Sequence, residues 1–247
     1  MALRDLTSQR LYVDAPLETG LGVALTAEQA SYLRVVLRMP AGARVLVFNG
    51  RDGEWAAALE HLGKRDAVLR IGEQTRTQEG GPDIEYLFAP LKKARLDYMV
   101  QKAVELGVSR LRPVITRRTV AERVKTERMR ANVVEAAEQC GILRLPEVDE
   151  PVALERVLKD WAPGRTLIHC DEAVAEAGGP IEQLEAMPRG AMAVLIGPEG
   201  GFDDVERALL QRQPFVRTLS LGPRIMRADT AAVAALALVM AVHGDWK

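Results

Sequence analysis

Chemistry in this 247-residue sequence concentrates in two glycine-containing stretches, LIGPEGGF at 195–202 and LGPRIMRADT at 221–230. Each sets a Gly-Pro pair and a charged side chain behind an apolar run, AMAVLI (191–196) in the first case and VRTLSL (216–221) in the second. Glycine lets a backbone approach a ligand where a Cβ would stand in the way. A phosphate-cradling P-loop would need Gly-Lys-Ser/Thr, which the sequence lacks. The spacing in GPEGGF does not match G-x-G-x-x-G. Glu199 also puts a carboxylate where a pyrophosphate would sit, so a neutral or cationic ligand fits better.

The surrounding patterns say what must hold these loops. From residue 84 onward strands and helices alternate: IEYLFAP, then KKARLDYMVQKAVELG stopped by Gly107, LRPVI, TERMRANVVEAAEQCG, TLIHC (166–170), and the two runs that precede the glycine loops. Helices are predicted at about 203–213, where Asp203 and Glu206 make a capping-box start, and at 228–243. Alternation of this kind implies an α/β domain with a mostly parallel sheet, whose ligands bind beyond the carboxyl ends of the strands. The loops after 191–196 and 216–221 are expected on neighbouring strands, with HCDEA after 166–170 as a third ligand loop.

Residues 1–75 differ. Short β-like runs, RLYV, ARVLVFNG, EWAAALEHL and DAVLRIGE, are broken by the Asn-Gly and Asp-Gly turn signals of NGRDGE and by one helix at about 27–37. A small β-barrel is expected there, with TRTQEGGPD making a linker over 76–83 and the second domain running 84–247. The net charge of −1 excludes a chain that is basic overall. Cys140, Cys170, His61, His169 and His243 are too scattered for a zinc knuckle, so no metal is expected. The first ten residues carry no signal-peptide core, and AAVAALALVMAVHG is shorter than a membrane span, which points to the cytoplasm.

Taken together, LIGPEGGF, LGPRIMRADTAA, YLRVVLRMPAG, QKAVELGVSRLRPV and AEQCGILRLPEV resemble, in order and across the chain, the ribosomal RNA small-subunit uridine N3-methyltransferase family of SPOUT methyltransferases. Ile142 stands where that family often has arginine, and Asp229 where glutamate is usual. The resemblance implies a PUA-like barrel joined to a SPOUT domain with a C-terminal trefoil knot, a homodimer, and S-adenosylmethionine as cofactor. It implies cofactor contacts at Gly197, Glu199, Gly200, Gly201, Leu219, Leu221, Gly222, Ile225 and Met226, with Met226 alternatively a core residue. For the implied reaction Arg227, Arg224 and Glu138 are the catalytic candidates: Arg224 and Arg227, with Arg118, to stabilise negative charge, and Glu138, with Glu199, to accept a proton. The implied partner is 16S ribosomal RNA within the small ribosomal subunit, and the implied target is N3 of one uridine. A non-catalytic RNA-binding assembly factor and a transfer-RNA methyltransferase of the same fold stay open on the sequence alone.

An RNA partner needs cations. Residues 92–130 hold twelve lysines and arginines against four acids, a local excess of eight hidden in a near-neutral chain. Lys92, Lys93 and Arg118 from that run, with Arg10, Arg34 and Arg38 from the first domain, are the expected RNA contacts. Aromatic residues are only 4% of the chain, so recognition by shape is expected rather than by base stacking.

Overall fold

The computed structural model describes residues 8–120, 123–171 and 178–246, with the side chain of Lys93 outside the described set. The chain divides into two compact units. The first comprises residues up to Gly80 together with Ala137–Leu145; the second comprises Gly81–Ala136 and Pro146–Lys247.

In the first unit, strands β1 (Arg10–Tyr12), β2 (Gly22–Ala24), β3 (Arg44–Phe48), β4 (Glu54–Leu62) and β5 (Ala67–Arg76) form one sheet in the order β1-β3-β4-β5-β2. The β3–β4 hairpin turns where the Asn-Gly and Asp-Gly pairs predict it. Asn49 Oδ1 accepts from the amides of Arg51 and Asp52, and Gly50 and Gly53 both take φ near +80°. Register shifts between β4 and β5 are bulges, which bend and twist a sheet. The sheet curls around Val23, Leu33, Val45, Val47, Leu59, Leu69 and Ile71, while β1 and β2 remain its two ends.

The helix expected at 27–37 is present in two parts. Helix α1 (Ala27–Ser31) starts on a Thr26/Gln29 capping box and continues as a π-helical turn, Tyr32–Val36, closed by the Leu37 amide on the Tyr32 carbonyl at 3.0 Å. Such single π turns are often found at functional sites.

The second unit is the parallel sheet. Strands β6 (Ile84–Phe88), β7 (Arg110–Ile115), β8 (Glu147–Val148), β10 (Thr166–Cys170), β11 (Met192–Ile196) and β12 (Val216–Leu219) lie in the order β12-β10-β11-β6-β7-β8, and β9 (Val152–Ala153) also pairs with β7. Every pairing is parallel. Strands β6 and β11 are buried at every residue, as a sheet covered on both faces requires.

On one face Leu87, Val114, Leu167 and Leu195 pack with Leu154, Val157 and Leu158 of α4 (Leu154–Lys159), Leu210 of α6 (Asp204–Gln211), and Phe202. Helix α2 (Lys93–Glu105) packs against α7 (Ala228–Val242), which in turn contacts β11 and α5 (Pro180–Glu185). Helix α3 (Thr126–Cys140) completes the set. Gly107, at φ +79°, stops α2 as expected.

The strand order corrects one expectation. Strand β10 lies between β11 and β12, so the two glycine loops flank a third strand end instead of leaving adjacent strands. The loop after β10 is described only to Asp171.

Candidate active site

The carboxyl ends of β10 and β11 open into a pocket of about 430 Å³. Ile196, Gly197, Pro198, Glu199 and Gly201 line it from the first glycine loop, with Phe202 beyond them. Ile225, Met226 and Arg227 line it from the second, and Ala228 and Ala231 from the first turn of α7. Cys170 contributes from the end of β10, and Arg95 from the first turn of α2.

The first loop is shaped by its glycines. A Cβ on Gly197 would stand 2.7 Å from the Phe202 ring, so the ring packs directly on the glycine. Gly201 turns the chain at φ +66°, and its amide donates to the Pro198 carbonyl at 2.8 Å. The loop then enters α6 through the predicted capping box: Asp203 accepts from the Glu206 amide at 2.8 Å, and Glu206 accepts from the Asp203 amide at 3.1 Å. The Glu206 amide holds the Asp203 carboxyl below its ordinary pKa. Buried Glu206 also accepts from the Arg117 amide at 2.8 Å, and Arg118 donates to the Gly200 carbonyl at 2.8 Å. Arg117 and Arg118 therefore brace the glycine loop and the start of α6 from outside.

The second loop is open. Gly222 takes φ +101° with free space around it, and Ile225 is 88% exposed. Arg224 and Arg227 are exposed and make no ion pair among the described residues. The two loops are joined by Arg95. Its Nη1 donates to Glu199 and its Nε lies 3.8 Å from Asp229. Burial of the Cys170 thiol pushes its pKa up to about 12, although the residue keeps partial exposure at the pocket wall.

Of the expected cofactor contacts, Gly197, Glu199, Gly201, Ile225 and Met226 line the pocket. Gly200, Leu219, Leu221 and Gly222 are not among its lining residues; Leu219 is fully buried at the end of β12. Arg227 lines the pocket and Arg224 does not.

Glu138 is not among the residues that line the pocket. It sits in the first unit, where its Oε1 accepts from the Tyr12 amide at 2.8 Å. The adjoining Gly141, at φ +63°, lies against the Arg10 guanidinium and accepts from Arg76 through its carbonyl. The Glu-Gln-Cys-Gly segment thus has a structural use in that unit.

Arg10 is likewise a correction. Its side chain is 5% exposed and pairs with Glu54, itself 2% exposed, at 2.9 Å, so it has no surface to offer RNA. Arg34 and Arg38 are exposed, and Arg34 borders a surface cleft of about 580 Å³ together with Tyr32, Lys64 and Arg65. In the second unit Lys92 is exposed and Arg118 is held by Gly200, while the Lys93 side chain lies outside the described residues.

Sequence reasoning missed Arg95, Cys170 and Phe202. Arg95 did carry a signal, because α2 opens on cations and has no acid in its first turn, against the preference of a helix N-terminus.

Comparison with known proteins agrees with this geometry. Residues 79–240 match the RNA methyltransferase domain, and residues 25–72 match the RNA methyltransferase PUA domain. A Synechocystis protein named ribosomal RNA small subunit methyltransferase E is 34% identical, covering 89% of this chain and 73% of its own. The Neisseria gonorrhoeae protein of that name, solved with S-adenosyl methionine bound, superposes with a TM-score of 0.88 at 27% identity over 97% of this chain and all of its own. A Legionella pneumophila protein described as a methyltransferase, also solved with the cofactor, gives 0.86 at 32% identity, covering 96% of this chain and 99% of its own. The parallel sheet with its terminal glycine loops is the SPOUT-type architecture, and the curled N-terminal sheet is a PUA domain. The chain belongs to the ribosomal RNA small subunit methyltransferase E family.

Proposed function

We propose that this chain transfers a methyl group from S-adenosylmethionine to N3 of a uridine in 16S ribosomal RNA, as a cytoplasmic step in small-subunit maturation. The observation that carries the reading is the glycine-bounded pocket beyond the carboxyl ends of β10 and β11, in a chain of this family. Its volume of about 430 Å³ lies in the range of small-molecule sites. Its lining also suits the donor. Gly197 and Gly201 expose main chain, Ile196, Ile225 and Met226 are apolar, and the single acidic lining residue is compatible with a cation.

When bound, S-adenosylmethionine supplies a methyl group on a sulfonium, which needs only a well-placed nucleophile. The residues of the chain have the other tasks. N3 of uridine holds a proton at neutral pH, and negative charge spreads to O2 and O4 as that proton leaves. Arg227, with no ion pair among the described residues, lines the pocket where it can stabilise that charge, with Arg224 three residues before it. Glu199 is already engaged by Arg95, and Glu138 is used by Tyr12, so charge stabilisation is favoured over a dedicated carboxylate base, with the N3 proton released to solvent water. Exposed Lys92, Arg123 and Lys125 in the second unit, and Arg34 and Arg38 in the first, supply contacts to RNA phosphate.

The reading includes a trefoil knot in the C-terminal segment and a homodimer. Helix α7 supports the dimer: Leu236, Val239 and Met240 are buried within the unit, whereas Val233, Ala237 and Leu238 are only half-buried. Sedimentation at micromolar concentration should show a dimer; a monomer alone would remove that part.

The reaction is tested with purified protein, radiolabelled donor, and 16S RNA offered naked, as assembled subunits, or replaced by transfer RNA. The expected product is 3-methyluridine in small-subunit RNA, seen by nucleoside mass spectrometry and as a primer-extension stop, because the methyl group blocks base pairing. Label on transfer RNA, on another atom, or on no RNA rejects the assignment.

A further inference from the structure

Charge in the first unit is not neutralised evenly. Arg10, Arg44, Arg51, Arg70 and Arg76 pair with acids, at Glu54, Glu73, Asp14, Glu60 and Glu79. Arg34, Arg38, Lys64 and Arg65 are exposed and make no ion pair among the described residues. Three of these four, Arg34, Lys64 and Arg65, line the surface cleft of about 580 Å³, against one acid, Glu28. The cleft lies between α1 with its π turn and the turn that joins β4 to β5. Tyr32 and Val36 add an apolar lining: Val36 is exposed, and Tyr32 also packs against the core of the unit. The π turn that carries them leads to Arg38 at φ +51°, the one described residue other than glycine in the left-handed region. Backbone conformations of that kind cluster where a ligand or a partner is held.

We propose that this cleft holds one unpaired nucleotide of the RNA substrate, with the base on Tyr32 and the phosphates on Lys64 and Arg65. It is a binding site built within the first unit alone, and it rests on the reading of RNA as the substrate.

The lining matches the parts of a nucleotide. A flat base needs an aromatic face, and stacking on such a face tolerates any base. Because Tyr32 is already held against the core, little side-chain freedom is lost when a base lies on it. Glu28 can accept from a base amino group or a ribose 2′-hydroxyl. Lys64 and Arg65, adjacent in the β4–β5 turn, bring two positive charges to the phosphates. A base inside a duplex is stacked on its neighbours and offers no face to a side chain, so the site selects unpaired RNA. An acidic peptide would answer the three cations, but it has no use for Tyr32 or for Glu28.

The test measures binding of a labelled single-stranded oligoadenylate to the full chain, beside the same strand annealed to oligouridylate. Wild-type protein should prefer the single strand. Tyr32→Leu, which keeps an apolar side chain on the core, should weaken the single strand by about 5- to 100-fold, the scale of one lost base stack, and leave the duplex within about twofold. Tyr32→Phe keeps the ring and should bind as wild type does. The double variant Lys64→Ala/Arg65→Ala should reduce the slope of log affinity against log salt by about 1.4 units for the single strand. Both positions are exposed, so this variant decides the matter if Tyr32→Leu does not fold. In methyl transfer to 16S RNA, Tyr32→Leu should raise KM and not lower kcat, with binding of S-adenosylhomocysteine, the demethylated donor, unaltered. Equal weakening of both RNA forms by Tyr32→Leu, or of neither, would overturn the site. A polyglutamate peptide that displaces the single strand and is itself weakened by Tyr32→Leu would make the cleft a protein-docking surface and overturn it too. If wild-type protein methylates 16S RNA with a KM that Tyr32→Leu does not change, this inference alone falls. If it neither binds nor methylates RNA, the reading of the function fails, and this inference with it.

Discussion

Gly197 offers the sharpest test of how the pocket is built. Replacing it with alanine puts a methyl carbon 2.7 Å from Cε2 of Phe202, 3.1 Å from Cδ2 and 3.2 Å from Cζ. Carbon atoms in contact prefer about 3.5–4.0 Å, so the ring or the loop must withdraw by roughly 1 Å. The ring has little freedom. Phe202 is buried in the core of the second unit and meets the His169 ring edge-on at 4.9 Å. Overpacking of this kind costs about 1–3 kcal/mol. Because Gly197 and Phe202 both line the pocket, the same shift displaces the binding surface. A displacement near 1 Å at a positioning site can cost up to about 100-fold.

Urea unfolding and titration with S-adenosylhomocysteine read the two effects separately. Gly197→Ala should lower stability by about 1–3 kcal/mol and weaken the ligand by at least about tenfold. Gly200→Ala is the internal control, since its added Cβ meets only Arg118 side-chain carbons at 3.6 and 3.8 Å, ordinary contacts. Phe202→Leu should relieve the clash, so that the double variant is more stable than the sum of the singles by about 1 kcal/mol. A Gly197→Ala protein with wild-type stability and affinity, or a clash that Phe202→Leu does not relieve, would refute the packing argument.

Other outcomes follow from the same geometry. Arg227→Ala should change stability by less than about 0.5 kcal/mol, because the side chain is exposed and makes no ion pair among the described residues. It should slow methyl transfer by about 100-fold or more, and near-normal turnover would remove Arg227 from the chemistry. Arg10→Ala leaves Glu54 buried with the Thr75 hydroxyl on its Oε1 at 2.9 Å and Arg76 3.7 Å away, so urea unfolding should show a loss of about 3 kcal/mol, whereas an RNA contact at the surface would cost almost nothing. Cys170, its thiol pushed up to about 12, should resist iodoacetamide at pH 8 while exposed Cys140 reacts, and bound S-adenosylhomocysteine should protect it further at pH 10. A folded pKa raised above the unfolded value of 9.0 means that the Cys170 contribution to stability is full below pH 9 and is lost as pH rises toward 12. Replacing Cys170 with alanine should flatten that part of the alkaline unfolding curve.

Long elements with a clear period were legible in the sequence. TLIHC is β10 residue for residue, and the helices expected at 92–107, 126–141, 203–213 and 228–243 are α2, α3, α6 and α7 with slightly closer bounds. Strands β2, β8 and β9 and helices α4 and α5 have two to six residues each, too few to set up a period. The pocket was half legible for a related reason. Gly197, Glu199, Ile225 and Met226 sit in contiguous glycine motifs, but Cys170 and Arg95 reach the pocket only because β10 lies between β11 and β12 and α2 packs on α7. Sheet order is a tertiary fact that no local pattern carries. Glu138 shows the reverse: its motif is distinctive, and in the structure its carboxylate accepts from the Tyr12 amide and is absent from the pocket lining.

Formal charge misleads in the same way. The twelve basic residues of 92–130 look like a continuous track for RNA, with an excess of eight over local acids. In the folded second unit Arg95, Arg110, Arg112, Arg117 and Arg130 pair with acids from outside the run, at Glu199, Asp149, Glu85, Asp203 and Glu150. Lys102 and Arg128 pair within it, with Glu105 and Asp97. Seven of the twelve are thus committed to ion pairs, and Arg118 to a carbonyl. A charge that already has a protein partner releases fewer counterions when a phosphate approaches, so the salt dependence of RNA binding should follow the unpaired cations rather than the formal count. With Lys92, Arg123 and Lys125 exposed in this unit, replacing all three should reduce the slope of log affinity against log salt by about three units, and replacing Arg110, Arg112 and Arg130 should leave it nearly unchanged. Equal slopes for the two triple variants would mean that the ion pairs open to the RNA and that the sequence count was the better guide.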